Sequence, residues 1–123
     1  MADQYHEFDI LNKWALLSDT EIEKIISDDT IALLQRVVAL LSNEAQNNEI
    51  VVRRENFVST VRYMRKLYED GSRLLGQAIL EASDWLDKQQ PAKAKETYER
   101  FLASCVSKFY RDIARNQIGK ISE

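Results

Sequence analysis

The stretch FVSTVRYMRKLYEDGSRLLGQAILEASDWL, residues 57–86, decides the fold. Apolar or small residues recur at Phe57, Val61, Met64, Tyr68, Gly71, Leu75, Ala78, Ala82 and Trp85, in alternating steps of four and three. On a helix this spacing keeps one side against its neighbours for about eight turns. In the middle, Asp70-Gly71-Ser72 has the form of a stop, a glycine cap and a new N-cap. Helix-length statistics favour a break there. The reading is therefore two helices, about 52–69 and 72–88, although the phase runs through Gly71 unbroken, as one continuous helix would require.

The rest of the chain supplies partners for that face. With 123 residues, 45% of them apolar and 30% charged, the sequence is expected to fold as a single helical-bundle domain over 1–123. Three glycines and one proline leave a sheet without its turns. Upstream, Ile10, Trp14 and Leu17, with Phe8 and Leu11 beside them, predict a short amphipathic helix over 6–17. Ser18-Asp19-Thr20-Glu21 is a capping box for a helix to about Ile26, and Ser27-Asp28-Asp29-Thr30 starts another over 29–46. Asn47-Asn48 marks a turn. Downstream, Gln89-Gln90-Pro91 ends the central segment, and nothing interrupts a last helix from Pro91 to about Ile118. Its apolar stripe is Ala94, Tyr98, Phe101, Leu102, Cys105, Phe109 and Ile113. The expected fold is all-α, an antiparallel bundle of about four main helices plus short N-terminal ones.

Most chemistry fails for want of parts. His6 is the sole histidine and precedes the bundle, so no metal-ligand spacing and no Ser–His or Cys–His pair arises. Cys105, the sole cysteine, sits between Phe101 and Phe109 as a small buried hydrophobe. Gly71, Gly76 and Gly119 fit no phosphate loop. Neither a metal nor a cofactor is expected, nor an enzyme. Residues 20–38 fail as a DNA-reading helix-turn-helix, because Asp28-Asp29 would face the phosphates. Residues 82–102 resemble a tetratricopeptide helical pair through Ala94, Tyr98 and the proline turn, but such units bury their faces only when stacked. No motif assigns a family.

The polar N-terminus carries no secretory signal, no apolar run reaches membrane length, and one cysteine makes no internal disulfide. The expected setting is cytoplasmic.

Charge supplies the remaining signal. Residues 1–50 carry ten acids and three bases, whereas 51–123 carry ten acids and fourteen bases. On the expected last helix Lys93, Arg100, Lys108, Arg111 and Arg115 fall within an arc of roughly 80° at 100° per residue. Arg62, Lys66 and Arg73 form a second, diluted row. The uninterrupted stripe suits the acidic surface of another protein, including a second copy of this chain. Phe8, Trp14 and Tyr110, at the edges of their stripes, are the candidate apolar anchors. The expected function is thus a non-enzymatic interaction module: a regulator, adaptor or inhibitor. The alternative is a nucleic-acid-binding protein using the same stripe, disfavoured by a pI near 5.3 and the lack of stacking aromatics.

Overall fold

The computed structural model describes residues 2–42, 50–105 and 107–121, and side chains from His6 onward. The expected Asn47-Asn48 turn and the end of the helix predicted to reach 46 lie outside the described residues. Every regular element is helical, and no strand occurs among the described residues. The elements are α1 (Ala2–Ala15), α2 (Asp19–Lys24), α3 (Asp28–Leu41), a 3-10 turn (Arg54–Asn56), α4 (Phe57–Asp87), α5 (Pro91–Ser104) and α6 (Lys108–Lys120). They group into two compact units, Met1–Tyr68 and Glu69–Glu123, and α4 belongs to both.

The first unit begins with α1, whose Phe8, Leu11 and Trp14 are buried. The stripe of α4 meets them: the rings of Trp14 and Phe57 lie 5.5 Å apart, and those of Phe8 and Tyr68 5.3 Å apart. Leu34, Val37, Val38 and Leu41 of α3 are wholly inaccessible. At about 1.5–3 kcal/mol per buried large apolar side chain, this α3 face outweighs any single cap in the unit.

Local chemistry starts α2 and α3 where the sequence places them. Ser18 Oγ accepts from the Glu21 amide at 3.2 Å, and Glu21 Oε1 accepts from the Ser18 amide at 2.9 Å, completing the capping box. Ser27 caps α3 in the same way with Thr30, and Asp28 and Asp29 sit in its positive first turn.

The end of α1 lacks a glycine, and a distant arginine takes over. Arg62 Nη1 donates to the Ala15 carbonyl at 2.7 Å; Nη2 donates to the Leu17 carbonyl at 2.8 Å and to Asp19 Oδ1 at 2.9 Å. Carbonyls orphaned at a helix end need such donors.

The expected division of residues 52–88 into two helices is corrected: α4 runs unbroken from Phe57 to Asp87. Gly71 has no positive φ, so it is not a left-handed cap. Its missing side chain serves packing instead, because a Cβ there would overlap the ring of Tyr110. Tyr110 Oη and Ser72 Oγ, 2.7 Å apart, share a hydrogen bond beside that contact. The alternating spacing was therefore the sounder signal. Phe57, Val61, Met64, Gly71, Leu75, Ala78 and Ala82 are buried, with Tyr68 and Trp85 half-buried.

The second unit contains the remainder of α4, then α5 and α6. Gln89, at φ 60°, closes α4: the Gln90 amide donates to the Trp85 carbonyl at 2.8 Å and the Gln89 amide to Leu86 at 3.0 Å. Pro91 then opens α5 as expected. Ala94, Tyr98, Phe101 and Cys105 are buried along α5 and its end.

The single last helix is also corrected. The chain leaves helical geometry at Cys105 (φ −96°, ψ 131°), and α6 restarts after Ser107 (φ −73°, ψ 117°). Ser104, Cys105 and Ser107 hold a helix weakly. The guanidinium of Arg111 donates to the freed carbonyls of Leu102 and, at 2.9 Å, Cys105, so the break leaves them satisfied.

Candidate functional site

The five cations of the expected stripe do not share one helix. Lys93 and Arg100 lie on α5; Lys108, Arg111 and Arg115 lie on α6. A continuous row along one helix does not exist, because the break after Ser104 resets the register.

On α5 the two cations flank the buried face, since Thr97 between them is buried. Lys93 Nζ sits 4.5 Å from the centroid of the Trp85 ring, which Lys88 Nζ also approaches at 5.1 Å. Arg100 Nη2 bonds Glu81 Oε1 at 2.9 Å. Arg100 and Glu81 border a cleft of about 250 Å3 between α4 and α5, with Leu74, Ala78 and Phe101 as its apolar lining.

On α6, Lys108 and Arg115 both approach Asp112, at 3.8 and 3.2 Å. Arg111 is committed to the end of α5. Its charge and burial act oppositely on the neighbouring thiol: burial pushes Cys105 up from its ordinary value, while the Ser107 amide and Arg111 pull it partly back. Burial likewise raises the Tyr98 phenol. The ion pairs of Arg100, Lys108 and Arg115 are exposed, so each is worth about 0–1 kcal/mol and exchanges readily for another carboxylate.

The expected apolar anchors require a correction as well. Phe8, Trp14 and Tyr110 are 3, 9 and 4% exposed, spent on the chain's own packing. Each lies at the margin of its stripe in sequence, where a neighbouring helix covers it. In their place α4 exposes Ile79, Leu80 and Leu86, at 41, 71 and 44%. Helical phase carried a signal for this. At 100° per residue Leu80 falls about 180° from the mean of the Leu75–Ala78–Ala82 stripe.

No group of three or more His, Cys, Asp or Glu side chains among the described residues is arranged to hold a metal. No described helix is long and apolar enough to cross a membrane. His6 is exposed.

A family model described as "Protein of unknown function (DUF2379)" matches residues 3–121. No curated protein and no solved structure gives a significant match.

Proposed function

We propose, for a chain that belongs to the DUF2379 family, that it works as a non-enzymatic protein-interaction module. The observation that carries this reading is the exposure of Ile79, Leu80 and Leu86 on α4. Leu80 lies on the side of the helix away from its own core and is largely exposed. Covering one such side chain stabilises a complex by about 1.5–3 kcal/mol. An exposed ion pair adds about 0–1 kcal/mol. The apolar residues of α4 thus supply affinity, while Arg100, Lys108 and Arg115 steer an acidic partner surface. A second copy of the chain belongs to the same class of partner. The nucleic-acid reading has weaker support: the cations form no continuous row, and Arg111 is spent on backbone carbonyls. A free, buried Cys105 suits a reducing, cytoplasmic setting.

The test compares capture from native cell extract by the wild type, by Leu80→Glu, and by Arg100→Glu/Lys108→Glu/Arg115→Glu. Leu80→Glu should abolish capture without lowering thermal stability. The charge reversal should slow association and remove its salt dependence. Light scattering at two concentrations identifies self-association. Unchanged capture by both variants overturns the reading. Binding to a generic duplex that collapses between about 50 and 200 mM salt would favour nucleic acid instead.

A further inference from the structure

The first unit holds a second feature, separate from the exposed Ile79, Leu80 and Leu86. Residues 50–53 carry no helix or strand to brace them before the 3-10 turn, yet their backbone is pinned by two side-chain amides. Gln35 Nε2 donates to the Ile50 carbonyl at 3.0 Å, and its Oε1 accepts from the Val52 amide at 2.8 Å. Asn56 repeats the device: its Oδ1 accepts from the Arg53 amide at 2.7 Å, and its Nδ2 donates to the Val51 carbonyl at 2.8 Å. Two carboxamides thus hold an irregular segment in one shape, at the cost of ordering it.

That segment forms one side of an open cleft of about 540 Å3, within the size range of small-ligand sites. Its lining is mixed in chemistry. Val51 and Tyr63, 49 and 39% exposed, offer apolar surface. Arg53, Ser59 and Thr60 offer polar groups. Arg53 is the one charged side chain among the described lining residues. It makes no ion pair among the described residues, unlike Arg36, Arg62, Arg73, Arg100 and Arg115. The cleft opens at the N-terminal end of α4, whose dipole favours negative charge.

We propose that this cleft binds a monocarboxylate with an apolar or aromatic body, the carboxylate pairing with Arg53 and the body lying against Val51 and Tyr63. The guanidinium fork matches a carboxylate in two hydrogen bonds. Arg53, the single cation among the described lining residues, neutralises one negative charge and leaves a dianion uncompensated. The same head group is offered by a free organic acid and by the C-terminus of a peptide.

The experiment titrates the 15N-labelled full chain with phenylacetate, with phenylacetamide, and with a short peptide ending in Phe in free-acid and amidated forms. The acids should shift the amides of Val51, Asn56, Ser59 and Tyr63. The uncharged analogues should bind at least about tenfold more weakly, since they lose the charge-assisted pair. Arg53→Gln should weaken the acids about tenfold with an unchanged melting temperature, because the fold uses the backbone amide and carbonyl of Arg53, which the substitution keeps. Tyr63→Ala should weaken acid and amide alike. The tighter of the two acids identifies the source. No shift at those amides up to about 10 mM acid, equal binding of acid and amide, or indifference to Arg53→Gln would overturn the assignment.

Discussion

At Gly71 the absence of a side chain is the structural element. Glycine inside a helix costs about 1 kcal/mol relative to alanine, so propensity alone makes Gly71→Ala stabilising. A Cβ there would overlap the Tyr110 ring, and overpacking costs about 1–3 kcal/mol. Gly71→Ala should therefore lower stability by about 1 kcal/mol in denaturant unfolding, and Tyr110→Leu in the same chain should recover part of the loss. Gly76→Ala is the control: nothing lies near its Cβ, so it should gain about 0.5–1 kcal/mol. A second residue titrates. Hydrogen bonds from the Ser18 backbone amide, and then from its side chain, hold the Glu21 carboxyl below its ordinary value of 4.5. With the folded value depressed, the unfolded chain takes up its proton first as pH falls. The capping box is thus at full strength above the ordinary carboxylate range and is lost as pH drops through the depressed value. In an NMR titration the Ser18 amide should follow the Glu21 carboxyl through a depressed midpoint, and Glu21→Gln should abolish that response. A Ser18 amide with the same pH response in Glu21→Gln would refute the linkage.

At the scale of the element, the question is what makes a helix continue or stop. In α4 the buried stripe from Phe57 to Ala82 continues through a tripeptide that looks like a boundary. Arg73→Pro separates the alternatives. After a break at Ser72, residue 73 would be the first helical position, where proline is welcome. Inside a continuous helix proline removes a backbone hydrogen bond and strikes the carbonyl of Glu69, at a cost of about 3 kcal/mol or more. We expect the full loss, measured as a reduced denaturant midpoint. The end of α5 shows the converse, a stop without glycine or proline. The ends of α1 and α5 are both completed by an arginine from elsewhere in the chain, Arg62 and Arg111. With three glycines in the sequence, capping by a guanidinium takes the place of capping by a left-handed residue. Either arginine read by composition alone is a surface charge.

For the whole molecule, Cys105 reports on opening of the second unit. It is 5% exposed, and burial raises its thiol, so few molecules present an accessible thiolate. Alkylation of the native chain at neutral pH should be slower than that of the unfolded chain by the fraction of molecules open. It should accelerate in Gly71→Ala, which loosens the contact with Tyr110. Equal rates for native and unfolded chains would contradict the burial. The sequence by itself determined the helical class, the buried stripe of α4, the starts of α2, α3 and α5 and the burial of Cys105. All of these are written in composition or in residues close together in the chain. Tertiary structure decided that α4 does not break at Gly71, because the reason is a tyrosine 38 residues from Ser72. It also decided that the final segment is two helices and that Arg62 and Arg111 donate to backbone carbonyls. The pairing of Gln35 with Ile50 and Val52 belongs there too. A helix end or a side-chain amide accepts whichever donor or acceptor the fold brings within reach, and local periodicity carries no record of which one that is.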